Sequence, residues 1–157
     1  IYTERGQHPR HSVYNHDERL LYVVTELSNE VLVYAMPEKK LLQRISTLPD
    51  GFAGKSHCSA ICLSPDEKTL YVANRYSESL VYFRVGADGL LAKAFQEPTE
   101  AEKPRHMILT KDGRALVVCY QVSGKVYVKP LGTDGLPIPG AAKHFPFADA
   151  ACAVHLG

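Results

Sequence analysis

One pattern recurs three times along the chain. Asp17, Asp66 and Asp112 each stand in a short polar turn, 49 and then 46 residues apart. An apolar run follows each turn: Leu21-Tyr22-Val23, Leu70-Tyr71-Val72 and Leu116-Val117-Val118. A second run comes next, EVLVYAM from Glu30, SLVYFRV from Ser79 and KVYVKPL from Lys125. Self-similarity at this spacing marks an architecture in which each unit buries its apolar faces against its neighbours.

Each unit reads as four short strands. They are expected at 11–15, 20–26, 30–36 and 41–48, at 59–64, 69–75, 79–85 and 91–96, and at 106–110, 115–121, 125–131 and 141–145. Val, Leu, Ile and Tyr dominate these runs, and turn-forming Asp, Gly and Ser separate them. No window keeps a helical period. The expectation is an all-β fold, a β-propeller made of three four-stranded blades at about 9–48, 57–98 and 104–147, with a final strand over 152–157. Propellers usually have four to eight blades. The chain is therefore expected to be about half of a ring, completed by missing blades or by a second copy. It opens Ile1-Tyr2-Thr3, with no initiator Met and no signal peptide, and so reads as part of something longer or as a processed product.

Composition narrows the function classes. Across 157 residues the formal net charge is +1, and no basic run offers a footprint for nucleic acid or an anionic membrane. No apolar stretch approaches the roughly 18 residues of a spanning helix. Cys58, Cys62, Cys119 and Cys152 form no CxxC pair and lack zinc-type His spacing. Free thiols in a reducing cytoplasm are expected. His8, His11 and His16 divide among loop, strand and turn, so neither a metal nor a cofactor is expected.

Equivalent strand ends of a propeller gather at its axis, so one repeat position faces itself across the centre. Glu26, Arg75 and Gln121 share such a position and differ in charge, whereas Leu21, Leu70 and Leu116 are identical. Divergence at a well-repeated position suggests a site, although polar strand ends in solvent give the same pattern. Arg10 and Arg105 are also equivalent, each between a Pro and a His. Arg10 and Arg75 beside Glu26 would place two guanidinium forks near one carboxylate, suited to an anionic substrate. The loop Thr47–Ser59 could cover the mouth of the channel, with Phe52 as a lid and His57 against substrate. Tyr76 reads as packing.

The segments HPRHSVYN, LLYVVTELSNEVLVY, STLPDGFAGKSHCSAICLSPDEKTLYVANRYSESLVYF and KPRHMILTKDGRALVVCYQVSGKVYV resemble the lactonase family of seven-bladed propellers. That family includes propeller-type 6-phosphogluconolactonases and fungal carboxy-muconate lactonizing enzymes. The resemblance covers nearly the whole chain and implies the last three blades, with FPFADAACAVHLG as the family's C-terminal end. In the muconate branch the site holds a histidine, two arginines and a glutamate. By motif, Arg10, Glu26 and Arg75 match the last three, and the histidine belongs to an upstream blade. The resemblance implies a carboxylic ester hydrolase that opens a small anionic sugar-acid lactone, inactive as this piece alone. Arg10, Arg75, Gln121, Arg105 and His57 would contact substrate, and Glu26, Arg10 and Arg75 would be catalytic. A lactonizing isomerase and a non-enzymatic binding module are the alternatives.

Overall fold

The computed structural model of the protein describes residues 1, 3–99 and 101–155. Every regular element among them is a strand. β1 (Pro9–Tyr14), β2 (Leu20–Thr25), β3 (Glu30–Ala35) and β4 (Lys40–Ser46) form one sheet. β5 (His57–Leu63), β6 (Thr69–Arg75), β7 (Ser79–Val85) and β8 (Leu91–Pro98) form the second. β9 (Pro104–Leu109), β10 (Ala115–Tyr120), β11 (Lys125–Pro130) and β12 (Lys143–Pro146) form the third. Each sheet is an antiparallel meander in sequence order. The first strands touch one another, β1 against β5 and β5 against β9, so they lie innermost. This is the radial arrangement of propeller blades.

The turn inside each blade is built the same way with different residues. Asn15, Ser64 and Thr110 each accept a hydrogen bond through a side-chain oxygen from the backbone N–H five residues on, at 2.8–3.0 Å. Asp17, Asp66 and Asp112 each accept from the N–H two residues on, at 3.1 Å. Glu18, Glu67 and Gly113 take the left-handed conformation that closes the turn. The repeated Asp in the sequence is thus a local device that starts the second strand of each blade.

Alternation then decides which residues face which neighbour. Tyr22, Val24, Val31 and Val33 pack against Leu70, Val72, Val81 and Phe83 between the first two blades. Tyr71, Ala73, Leu80 and Tyr82 pack against Met107, Leu109, Leu116 and Tyr120 between the second and third. Strand β6 is therefore buried on both faces, which is why its middle, Leu70 to Ala73, is an unbroken apolar run. The outermost strands β4 and β12 are largely exposed.

A hydrogen bond of the same kind ties each pair of blades. The Tyr22 hydroxyl donates to the Gly89 carbonyl and the Tyr71 hydroxyl to the Gly135 carbonyl, both at 3.0 Å. Gly89 has φ +77° and Gly135 φ +73°, and a Cβ on Gly89 would stand 2.1 Å from Leu20 Cδ1.

The structure departs from expectation at several strand ends, among them β12, which begins two residues late, at Lys143. The innermost strands begin about two residues early, at Pro9, His57 and Pro104, because pairing continues past an extra residue in each. The final strand expected over 152–157 is not formed over residues 152–155, and the last two residues lie outside the described part. The Ala153 N–H donates to the side chain of His106 in β9, at Nδ1 and 3.3 Å, and not to a strand backbone.

Tyr22→Phe and Tyr71→Phe should each lower stability by about 1 kcal/mol, the net value of one hydrogen bond. Gly89→Ala should cost more, since the left-handed conformation alone costs an L residue roughly 1–2 kcal/mol. Urea denaturation compares the three, and an Ala variant at Gly89 as stable as wild type would refute this packing.

Candidate active site

Pairing skips one residue in every innermost strand. Pro9 pairs with Thr25 and His11 with Val24, leaving Arg10 over. Cys58 pairs with Asn74 and Ala60 with Ala73, leaving Ser59. Pro104 pairs with Tyr120 and His106 with Cys119, leaving Arg105. An extra residue of this kind is a bulge, which bends the strand and re-aims a side chain. Arg10, Ser59 and Arg105 are one repeat position, so the bulge belongs to the blade design.

Glu26 lies just beyond β2. Its N–H donates to the His8 carbonyl at 2.7 Å and its carbonyl accepts from the Cys58 N–H at 3.2 Å. The backbone at Glu26 is thereby pinned between the entrances of the first two blades. Its carboxylate is held by both arginines. Arg10 Nη1 donates to Oε2 at 3.2 Å, and Arg75 Nη2 donates to Oε1. Arg10 Nε also donates to the Ser59 carbonyl at 3.0 Å, so a bulge residue of one blade grips its counterpart in the next. His57 Nδ1 is 3.6 Å from Glu26 Oε1. Arg75 Nε is buried and without a hydrogen-bond partner among the described residues, an orphaned donor beside the cluster.

Charge and burial between them lower the pKa of Glu26, His57 and His11 at this centre. Burial opposes the ionisation of Glu26, but the hydrogen bonds and charges of Arg75 and Arg10 outweigh it and hold the carboxyl below its ordinary 4.5. His57 is lowered below 6.5, first by burial and then by Lys55 and Arg75, with Glu26 pulling the other way. His11 is lowered too, by burial first and then by Arg10, His106 and Arg105. The centre therefore holds an ionised carboxylate, two guanidinium cations and neutral imidazoles at neutral pH.

The structure brings Arg10, Glu26, Arg75 and His57 together. The charge of Arg105 is felt at His11, where it helps to lower the imidazole. Gln121 is different: its N–H donates to the Lys103 carbonyl at 3.1 Å, and among the described residues its side chain makes no hydrogen bond to the cluster. Phe52 folds back over Gly54 in its own loop, where a Cβ would stand 2.7 Å from the ring. No three His, Cys, Asp or Glu side chains gather as metal ligands among the described residues. Sequence reasoning missed the bulge and the surroundings of Tyr76. Its ring is 4.9 Å from that of His57, edge to face, with the ammonium groups of Lys55 and Lys103 over it at 4.2 and 5.4 Å.

Three radial blades with a clamped carboxylate at the hub define a β-propeller. The chain belongs to the family of seven-bladed β-propeller lactonases, whose model matches residues 1–134. It is 33% identical over 138 residues to a 6-phosphogluconolactonase of Bacillus subtilis, covering 80% of this chain and 40% of that protein. It is 30% identical over 138 residues to a 6-phosphogluconolactonase of Erwinia tasmaniensis, covering 85% of this chain and 41% of that one. Among solved structures it superposes on a periplasmic gluconolactonase of Pseudomonas aeruginosa with a TM-score of 0.89 and 30% identity, over 95% of this chain and 42% of that one. The chain thus spans about two fifths of the length of these relatives.

The lowered pKa of Glu26 carries a stability consequence. A carboxyl depressed by folding contributes stability that is complete above its unfolded pKa and is lost as pH falls through the folded one. Glu26→Gln should therefore be less stable than wild type at neutral pH, and the gap should close as pH drops below about 4.5. Denaturation midpoints across that range test this; a gap independent of pH would contradict the clamp.

Proposed function

We propose that this cluster is the lactone-opening centre of a carboxylic ester hydrolase, acting in the completed ring on a sugar-acid lactone of the 6-phosphogluconolactone type. The observation that carries it is the pair of guanidinium groups from neighbouring blades converging on the Glu26 carboxylate, with a neutral imidazole at its edge. The names of the Bacillus subtilis, Erwinia tasmaniensis and Pseudomonas aeruginosa relatives support the substrate class.

The chemistry follows from the charges. Arg10 and Arg75 polarise the lactone carbonyl and stabilise the oxyanion that forms. A water oxygen bonds to the carbonyl carbon and gives a proton to His57, which its surroundings keep unprotonated. The tetrahedral intermediate collapses by breaking the ring C–O bond, and the proton passes to the departing alkoxide. The products are a hydroxyl and a carboxylic acid, which releases its proton to solvent and becomes a carboxylate. A carboxyl held below its ordinary value is a weak base, so Glu26 is assigned to orienting water and holding both arginines.

The missing blades are proposed as the partner that closes the ring. The exposed Val122, Phe145 and Phe147 of the third blade support this. A cytoplasmic location is proposed on the four free cysteines. Among the described residues no helix is long and apolar enough to cross a membrane.

On the full-length protein, a dehydrogenase-coupled assay with fresh 6-phosphogluconolactone should show hydrolysis well above the spontaneous rate. Arg10→Ala or Arg75→Ala should lower kcat/KM on the order of 100-fold. His57→Ala should lower kcat by a similar factor of about 100 and remove the fall in rate on acidification. A wild-type rate equal to the spontaneous one would refute the hydrolase; consumption of a carboxy-muconate instead would point to the isomerase.

A further inference from the structure

Tyr76 adopts φ +69°, a conformation that bulky side chains rarely take. Leu27 and Val122 occupy the same position in the other two blades and are not among the residues with positive φ. The strain is therefore particular to the second blade. Core burial does not recoup it, because Tyr76 is 41% exposed. Strain of this kind costs of order 1–3 kcal/mol and collects at ligand clamps and active sites.

What the strained conformation achieves is visible around the ring. It sets Tyr76 edge to face with His57, next to the Glu26 cluster. It also gathers two ammonium groups, Lys55 from the loop before β5 and Lys103 from the turn before β9. Glu78 fixes the arrangement by accepting from the Tyr76 N–H at 3.0 Å and the Lys103 N–H at 2.7 Å. Two cations drawn to one ring repel each other, and a shared anion relieves that repulsion. Arg10 and Arg75 already spend donors on Glu26, whereas Lys55 is exposed and Lys103 half-buried.

We propose that Lys55 and Lys103, held over the Tyr76 ring, form the subsite that takes the phosphate of a phosphorylated lactone, with the lactone carbonyl at Arg10 and Arg75. This rests on the lactonase reading for its substrate; the subsite adjoins the catalytic cluster through the Tyr76–His57 ring contact and the charge of Lys55 at His57, so the substrate preference, a ratio of two lactones at the same cluster, is the readout that belongs to the lysines. The lysines are then specificity-determining residues and Tyr76 is a positioning residue that holds them by cation–π attraction.

The test uses the full-length protein and two probes, 6-phosphogluconolactone and gluconolactone. Wild type should prefer the phosphorylated lactone in kcat/KM. Lys55→Ala and Lys103→Ala should each cut that preference by about tenfold, chiefly through KM, as expected for loss of one charge-assisted contact. Lys103→Arg should keep it. Tyr76→Gly should fold at least as stably as wild type, since glycine takes positive φ freely, yet lose the preference. Calorimetry with 6-phosphogluconate reads the subsite without turnover. Lysine-dependent binding by a protein that hydrolyses neither lactone would sink the lactonase reading and leave the subsite standing. Active variants with an undiminished preference, or a Tyr76→Gly protein that keeps it, would overturn the subsite.

Discussion

A sheet that is apolar on both faces cannot stand alone in water. Strand β6 shows the constraint: Leu70 and Val72 face the first blade, and Tyr71 and Ala73 face the third. Burying such faces, at about 25 cal/mol for each Å² of apolar surface, requires a blade on either side. Radial stacking is the consequence, and it brings the innermost strands into contact. The candidate site exists only because of that stacking. Glu26 and Arg10 belong to the first blade, Arg75 and His57 to the second, and no blade holds the cluster by itself. Apolar packing between blades therefore precedes the chemistry, and the tyrosine-to-glycine ties fix how deeply one blade seats against the next.

At the centre, electrostatics separates two titratable groups that touch. Glu26 is kept anionic by two guanidinium groups, and His57 is kept neutral by burial and by nearby cations. The arginine clamp explains why the acid occurs once. A second carboxylate at the position of Arg75 would leave Arg10 alone to neutralise two negative charges. Arg75 instead supplies the balancing charge and leaves a buried Nε with bonding capacity unused among the described residues.

Much of this was legible in the sequence. The repeat spacing and the apolar runs gave the strands, and the unequal chemistry at Glu26, Arg75 and Gln121 singled out a position at the hub. Two of those three meet there, while Gln121 bonds through its backbone to Lys103 and makes no side-chain hydrogen bond to the cluster among the described residues. The bulge was not legible. An inserted residue that recurs in every repeat leaves the spacing between repeats unchanged, so Arg10 and Arg105 aligned without betraying that each stands outside the ladder. Residues 152–155 form no strand in this chain and pass beside His106.

Tyr76 was passed over because a Leu, Tyr, Val series looks like ordinary apolar variation; only the backbone angle separates it from Leu27 and Val122. Its location in the second blade has a physical basis. Strained conformations survive where the surroundings over-determine them, and the second blade is packed on both faces by its neighbours. Contacts from both sides also reach the ring, Lys55 from the connection with the first blade and Lys103 from the connection to the third. The position that can bear the strain is thus also the one where charges from two blade junctions converge on a single ring.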